Sequence, residues 1–247
     1  MLEVRELVKD FGARRAVDHV SFNVERGTVL GFLGPNGAGK STTMRMITGY
    51  LAPTSGTATV AGHDIIEDSL AARSAIGYLP ESAPHYAEMT VREFLAFMAR
   101  LRNYSGREID ERVDAMIEKC FLQDVVHQPM DTLSKGYRQR TCLAQAILHD
   151  PQVLIMDEPT DGLDPNQKAV VRDMIREMAP EKVIVLSTHV LEEVEAICDR
   201  VVIISGGKVV ADSTPAELKQ ESPSGRLDEV FRTLTTTEDT KAAEVSA

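Results

Sequence analysis

The chain has 247 residues, of which 43% are hydrophobic and 26% charged, and its formal charge is −11. These values are typical of a soluble globular protein with one or two domains, and the acidity argues against nucleic acid, which would bind a basic face. Cys120, Cys142 and Cys198 are scattered, so they predict buried thiols in a reducing cytosol and exclude metal-ligand spacing.

The N-terminus and the apolar runs bear on any membrane role. The first residues, MLEVRELVKD, are charged and alternate in polarity, so no signal peptide is predicted. The longest apolar runs have the length of a strand and are too short to cross a bilayer. A membrane role is therefore expected to depend on a partner.

The first half of the chain changes from strands to helices. Residues 2–33 read as short strands, and Val29 to Leu33 is apolar throughout, as expected of a strand buried on both faces. A helix from about Lys40 to Gly49 and a strand from Thr57 to Gly62 follow. From Thr90 to about His149 the pattern is helical and predicts an inserted subdomain.

The start of this helical block carries a capping signature. Thr90 and Glu93 have the spacing of a capping box, and Phe94, Met98 and Leu101 then recur at helical spacing. We interpret this apolar stripe chiefly as core packing, with a partner-docking face as the alternative.

Strand character returns in the second half, where it alternates with helices as in a parallel α/β sheet. Val153 to Met156 and Val183 to Ser187 are predicted strands, and a hairpin is expected to turn at Gly206 and Gly207. Beyond Lys219 the periodicity is lost, which predicts a mobile C-terminal tail.

GPNGAGKST fits the pattern G-x-x-x-x-G-K-[ST] and lies between a buried strand and a helix, the context that a phosphate-binding loop requires. Its backbone N–H groups can close on phosphates, Lys40 can reach the β- and γ-oxygens, and the Ser41 hydroxyl is suited to Mg²⁺. The expected nucleotide-binding residues are Gly34, Pro35, Asn36, Gly37, Ala38, Gly39, Lys40, Ser41 and Thr42.

Two further strands end in polar residues. In VLIMDEPT, Asp157 is suited to holding Mg²⁺ through water and Glu158 to polarising an attacking water. Such a pair alone is more often a solvated strand end, but an upstream phosphate loop favours Mg²⁺–nucleotide chemistry. VIVLSTH ends in His189, which could reach a γ-phosphate at the same sheet edge, although a lone histidine is usually structural.

The stretch LSKGYRQR is a second candidate anion site. A turn from Ser134 to Gly136 opens a basic helix, and a helix N-terminus offers N–H groups and a positive dipole end.

The phosphate loop, LSKGYRQR, VLIMDE, GLD and STH, in this order and spacing, resemble the ATP-binding subunit of ABC transporters over residues 1–215. The resemblance implies a P-loop NTPase α/β core with an N-terminal antiparallel β subdomain and a helical subdomain at about 85–149. Residues 1–219 would form the ATPase domain and 220–247 the tail. ATP and Mg²⁺ are the implied cofactors.

The resemblance also implies roles for single residues. Phe11 matches the aromatic that stacks on adenine, with an ordinary core phenylalanine as the alternative. Glu158 matches the catalytic glutamate and His189 the switch histidine. Asp164 matches the loop that crosses the dimer interface. Two subunits, as a homodimer or heterodimer, would enclose two ATP molecules head to tail.

Ser134, Lys135, Gly136 and Tyr137 match the signature loop, which would contact the partner's ATP. The usual sequence is LSGGQ, so lysine replaces a glycine and tyrosine a glutamine. Lys135 either adds positive charge at an anion site or is simply solvated. Glu81 stands where the family often has glutamine. A carboxylate is a strong Mg²⁺ ligand that donates no hydrogen bond, so we expect the metal role to be retained.

The motif forms look most like ATPases of type-2 exporters, in the gliding-motility and drug-efflux branches. The leading hypothesis is therefore an ATP-hydrolysing motor subunit that drives a separate permease at the cytoplasmic face of the membrane. The alternatives are an ABC-type ATPase acting on ribosomes or DNA, a regulatory module with little hydrolysis, and a P-loop kinase.

Overall fold

The computed structural model describes residues 1–82 and 84–236. The strands of these residues are β1 (Leu2–Phe11), β2 (Arg14–Val24), β3 (Val29–Leu33), β4 (Ser55–Val60), β5 (His63–Asp64), β6 (Ile76–Leu79), β7 (Val153–Asp157), β8 (Val183–Thr188), β9 (Arg200–Ser205) and β10 (Lys208–Ser213).

A six-stranded sheet of order β10-β9-β3-β8-β7-β6 forms the centre of the molecule. All its pairs are parallel except β9 with β10, which form the hairpin predicted at Gly206 and Gly207. The carboxyl ends of β3, β7 and β8 therefore meet at one edge, where open α/β sheets bind ligands.

A smaller sheet of order β2-β1-β4-β5 is antiparallel throughout. It is the N-terminal antiparallel subdomain that was predicted. Val29–Leu33, predicted as a strand buried on both faces, is fully buried and belongs to the central sheet.

The helices of the described residues are α1 (Lys40–Ile47), α2 (Ser69–Ser74), α3 (Val91–Leu101), α4 (Arg107–Lys119), α5 (Lys135–Ile147), α6 (Pro165–Met178), α7 (Leu191–Ile197), α8 (Pro215–Gln220) and α9 (Leu227–Thr235). Helices α3 to α5 lie between β6 and β7 in the chain and form the inserted helical block. The capping box is confirmed: Glu93 N–H donates to Thr90 Oγ1 at 3.3 Å, and Thr90 N–H donates to Glu93 Oε2 at 2.9 Å.

The central sheet is buried on both faces because alternate residues of each apolar strand face different core clusters. In β7, Leu154 and Met156 pack into the cluster that contains the helical block. Val153 and Ile155 pack into the cluster shared with α1 and the antiparallel sheet. The strand ends that carry polar side chains are thus fixed by packing on both sides.

The predictions for the cysteines and for the apolar stripe of α3 can now be compared with the structure. The cysteines are buried, as predicted, and burial raises the pKa of each thiol to about 12. Leu101 is 60% exposed, so it does not continue the core contact that buries Phe94. The expected apolar stripe therefore leaves the core in the last turn of α3.

The tail prediction is wrong for Leu227–Thr235, which forms α9. Leu227 and Val230 are buried and Phe231 and Leu234 pack against the same core, a helical spacing that the polar residues before Leu227 obscured. Residues 237–247 lie outside the described residues. Among the described helices, none combines the length and the hydrophobicity that a bilayer span would need.

Candidate nucleotide-binding site

A cavity of about 730 Å³ opens at the carboxyl edge of the central sheet. It brings together residues from β1, β2, the phosphate loop, the loop after β6 and the ends of β7 and β8. Its lining residues are Phe11, Arg14, Ala16, Asn36, Gly37, Gly39, Lys40, Ser41, Thr42, Glu81, Glu158, Asp161 and His189.

The phosphate loop joins β3 to α1 and has the conformation that only glycine permits at its last turn. Gly39 has φ of 109°, and a Cβ there would lie 2.6 Å from the Ala16 carbonyl oxygen. Helix α1 begins at the next residue and has no acidic side chain in its first turn. Its N–H groups and positive dipole end are therefore available to an anion.

Lys40 is a buried cation surrounded by oxygen atoms. Its Nζ donates to the carbonyl oxygens of Gly34 at 2.7 Å and Pro35 at 3.3 Å, and lies 3.7 Å from Glu158 Oε1. Burial lowers the pKa of Lys40, while the carboxylates of Glu158 and Asp157 oppose that shift. The ammonium group is thus held at the cavity by partners that a phosphate can replace.

Asp157 is fully buried at the end of β7. Its Oδ1 accepts hydrogen bonds from the Ser187 hydroxyl and, at 3.2 Å, from the Ser41 hydroxyl. Its Oδ2 has no hydrogen-bond partner among the described residues. A buried anionic oxygen beside a serine hydroxyl is a donor set that fits Mg²⁺.

No group of three or more His, Cys, Asp or Glu side chains within residues 1–82 and 84–236 forms a complete metal site. A cation beside Asp157 would therefore also need phosphate or water oxygens, which is the usual manner of Mg²⁺ binding with nucleotides.

Glu158 follows Asp157 and has a backbone φ of 50°, an unusual value for a residue with a side chain. Its N–H donates to the Ser187 carbonyl oxygen at 3.1 Å, which fixes the turn. Its Oε1 lies 3.0 Å from Nδ1 of His189. Because an ionised carboxylate only accepts, Nδ1 must carry the proton.

Phe11 ends β1 and is 50% exposed at the cavity. The alternative that it is an ordinary core residue is therefore wrong. Its ring also lies 5.3 Å from Lys9 Nζ. Glu81 lies in the exposed loop after β6 and lines the same cavity.

Arg14, Ala16 and Asp161 also line the cavity and were not predicted. Arg14 and Ala16 lie just after the turn that follows Phe11. The adenine contact predicted at Phe11 was therefore a signal that could have identified them. Asp161 stands between Glu158 and Asp164 in the sequence, and no motif drew attention to it.

The signature residues lie on the first turn of α5 and none of them lines this cavity. Ser134 is the exposed N-cap, whose oxygen accepts from the Tyr137 N–H at 3.4 Å, while Gly136 is buried against Gln167. Asp164 is the exposed N-cap of α6 and accepts from the Gln167 N–H at 3.0 Å. One chain therefore presents two separate sets of candidate anion-binding groups.

The sequence matches the model of the family "ABC transporter" over residues 17–161. Three relatives support the match. YxlF of Bacillus subtilis, an uncharacterized ABC transporter ATP-binding protein, is 41% identical over 90% of this chain and 73% of its own. YbhF of Escherichia coli, a probable multidrug ABC transporter ATP-binding protein, is 40% identical over 94% of this chain and 41% of its own. The Nod factor export ATP-binding protein I of Rhizobium meliloti is 37% identical over 93% of this chain and 69% of its own.

Two solved structures have the same fold. An ATP-binding subunit of an ABC transporter superposes with a TM-score of 0.85 and 31% identity over 96% of this chain and all of the other. The cassette MJ0796, solved as a dimer, has a TM-score of 0.79 and 22% identity over 87% of this chain and 98% of its own. The chain belongs to the ABC transporter family as an ATP-binding subunit, and it is an ATPase.

Proposed function

We propose that this chain is the motor subunit of a membrane exporter, in which two chains enclose two ATP molecules and drive a separate permease. The observation that carries the proposal is the separation of the two candidate anion sites. The phosphate loop, Glu158 and His189 share one cavity, while Ser134 is exposed elsewhere on the chain. Export is supported by the Nod factor relative, whose name states that role for that protein.

The nucleotide would lie along the cavity from Phe11 to His189. The half-exposed Phe11 ring would stack on adenine, and the phosphate loop, Gly34 to Thr42, would bind the phosphates. Lys40 would exchange its carbonyl partners for the β- and γ-oxygens. These contacts would hold the triphosphate with its terminal phosphorus toward Glu158.

Glu158 would act as the general base of hydrolysis. It would accept a proton from a water molecule as the water oxygen bonds to the γ-phosphorus, while the bond to the β–γ bridging oxygen breaks and ADP leaves. The His189 Nδ1–H bond at 3.0 Å orients the carboxylate for this step. Only 10% of the Glu158 side chain is exposed, which limits competition from bulk water.

Mg²⁺ would neutralise charge on the β- and γ-phosphates. Ser41 would contact it directly, and the unpartnered Asp157 Oδ2 would reach it through water. Glu81, from the loop after β6, would add a carboxylate on the open side of the cavity.

Replacing Glu81 by alanine is expected to raise the Mg²⁺ concentration needed for half-maximal ATP hydrolysis by about tenfold, because a carboxylate ligand is lost. Glu81→Gln keeps one oxygen ligand and should show a smaller shift. Titration of Mg²⁺ at fixed ATP measures the effect, and Glu88→Ala, an exposed acid on the same segment, is the control. Full activity with unchanged Mg²⁺ dependence in Glu81→Ala would exclude the metal role.

Two chains would meet head to tail, so that each nucleotide lies between one phosphate loop and the partner's Ser134. The exposed Ser134 oxygen already accepts the helix-capping bond, and its O–H group can donate to a γ-phosphate oxygen. Asp164, also exposed, would lie at the interface. The partner chain would be a second copy or a related cassette.

The permease would contact the loop from Ser82 to Thr90 and the neighbouring helix α3. Two cavities flank this loop, and one of them, of about 630 Å³, also contacts the α/β core. We call it the arginine cleft, because Arg45, Arg73 and Arg102 line it. This contact would hold the chain at the cytoplasmic face of the membrane.

The arginine cleft has a composition suited to an acidic, partly apolar permease segment. No carboxylate among the described residues lines it, and none of its three arginines forms an ion pair there. Met98 and Tyr50 add apolar surface. The Tyr78 hydroxyl is buried and lacks a hydrogen bond of good geometry among the described residues. Burial raises the pKa of Tyr78 to about 12. Unpaired cations in an apolar cleft favour a complementary anion.

Arg45→Glu together with Arg102→Glu is expected to abolish stimulation of ATPase activity by the permease while leaving basal hydrolysis within about twofold. The assay requires a candidate permease, sought among the genes adjacent to that of this chain, which is co-expressed with it and reconstituted in liposomes. Arg232→Glu, an exposed change on α9, is the matched control. Normal stimulation of the double variant would contradict docking in this cleft, and an absent complex with the unaltered chain would contradict the exporter role.

A further inference from the structure

Lys135, the lysine at the signature glycine position, forms an ion pair with a residue of the chain's own nucleotide cavity. Its Nζ lies 3.1 Å from Oδ2 of Asp161, and Asp161 lines the cavity beside Glu158. The two residues are 26 positions apart in sequence and belong to different elements. The pair therefore connects the signature loop with the site that this same chain forms around its phosphate loop.

The loop that carries Asp161 leaves room for the Lys135 ammonium group. Gly162, next to Asp161, has φ of 63°, and a Cβ there would lie 2.0 Å from Lys135 Nζ. Any side chain at this position would displace the ammonium group. The Lys135 ammonium group thus lies directly over the Gly162 backbone, within reach of the Asp161 carboxylate.

A second hydrogen bond joins the same helix to the same loop. Gln139, one turn after Lys135 on α5, donates from Nε2 to the Pro159 carbonyl oxygen at 3.0 Å. Residues four apart lie on one helix face, so both contacts come from the face of α5 that covers residues 158–162. This second contact fixes the position from which Lys135 reaches Asp161.

The charge of the cavity favours a cation beside Asp161. Three carboxylates line the cavity, those of Glu81, Glu158 and Asp161, against the cations Lys40 and Arg14. Lys40 already lies close to Glu158, and a metal ion is proposed at Glu81. Asp161 is left facing the site of a polyanionic triphosphate, and Lys135 is its ion-pair partner within the described residues.

We propose that Lys135 is a positioning residue of its own chain's nucleotide site, which holds and neutralises Asp161 so that the cavity accepts the triphosphate. The inference rests on the proposed function only in taking this cavity as the ATP site. The signature turn would then influence both sites of a dimer: the partner's nucleotide through Ser134 and its own through Asp161.

The test is a double-mutant cycle on nucleotide affinity, using isosteric changes. The variants are Lys135→Met, Asp161→Asn and the combination of both. Lys219→Met, which breaks the remote Lys219–Glu195 pair, also 3.1 Å long, is the matched control. Affinity is measured with Mg²⁺ and the non-hydrolysable analogue AMP-PNP, at chain concentrations where sedimentation shows a monomer.

Lys135→Met is expected to weaken AMP-PNP binding about threefold at low salt, because an exposed carboxylate then repels the phosphates. The loss should shrink in high salt, and adding Asp161→Asn should restore wild-type affinity. Lys219→Met should have no effect.

Two results would overturn the proposal: unchanged AMP-PNP affinity in Lys135→Met, or a loss of affinity that persists in the double variant. The assay involves neither hydrolysis nor a permease, so its failure leaves the proposed function untested and intact. Failure of the hydrolysis experiments would likewise leave this affinity result standing.

Discussion

Glu158→Gln is expected to reduce ATP turnover by at least about 10²-fold while leaving ATP affinity within about threefold. Glutamine has the same shape and can keep a hydrogen bond with His189, but it cannot accept a proton from water. Lys40 loses one of its neighbouring carboxylates, at 3.7 Å, and should bind phosphate at least as well. The effect should therefore fall on kcat and not on KM.

Steady-state hydrolysis and equilibrium binding of ATP separate these two quantities. Glu177→Gln, an exposed change on α6, is the control for a general effect of charge removal. Normal turnover in Glu158→Gln would remove Glu158 from the base role.

Ser134→Arg is expected to abolish hydrolysis, by about 10²-fold or more, and to spare nucleotide binding by the single chain. Ser134 is exposed and does not line the chain's own cavity, so a larger side chain leaves that cavity unchanged. The same side chain would obstruct a second chain that places its nucleotide against this turn. Lost turnover together with normal nucleotide binding would indicate a site that two chains share.

A change at Ser134 also affects a helix cap, and this must be separated from the effect on the site. Glycine replaces serine at an N-cap at a cost of only a few tenths of a kcal/mol, so Ser134→Gly removes the hydroxyl with little loss of stability. We expect this variant to melt like the unaltered chain and to hydrolyse ATP more slowly. Unchanged turnover in Ser134→Arg would contradict a second anion site at this turn that serves the partner's nucleotide.

The fold and the phosphate-binding part of the nucleotide cavity were predictable because their signals are local. Val29 to Leu33 and Val153 to Met156 are apolar throughout, which indicates strands buried on both faces, and the polar groups follow each strand at once. The carboxyl ends of parallel strands meet at one edge, so Ser41, Asp157 and Glu158 were expected together, and the structure has them so.

The remaining features depend on contacts between distant parts of the chain. Nothing near Lys135 indicates Asp161, because the pair requires α5 to cover the loop after β7. Arg45, Arg73 and Arg102 come from three elements, and they share a cleft only after the helical block has folded against the core. Helix α9 was missed because the polar residues before Leu227 obscured the helical spacing of its apolar residues, which pack against the core.

The central claim is that two chains enclose two nucleotides, and the mass of the Glu158→Gln protein in Mg²⁺ and ATP tests it most directly. Because hydrolysis would be blocked, the closed state should accumulate. Sedimentation or light scattering should give a dimer with one ATP bound per chain, and adding Ser134→Arg should return a monomer that still binds ATP. A Glu158→Gln protein that is saturated with ATP and remains monomeric would contradict the claim.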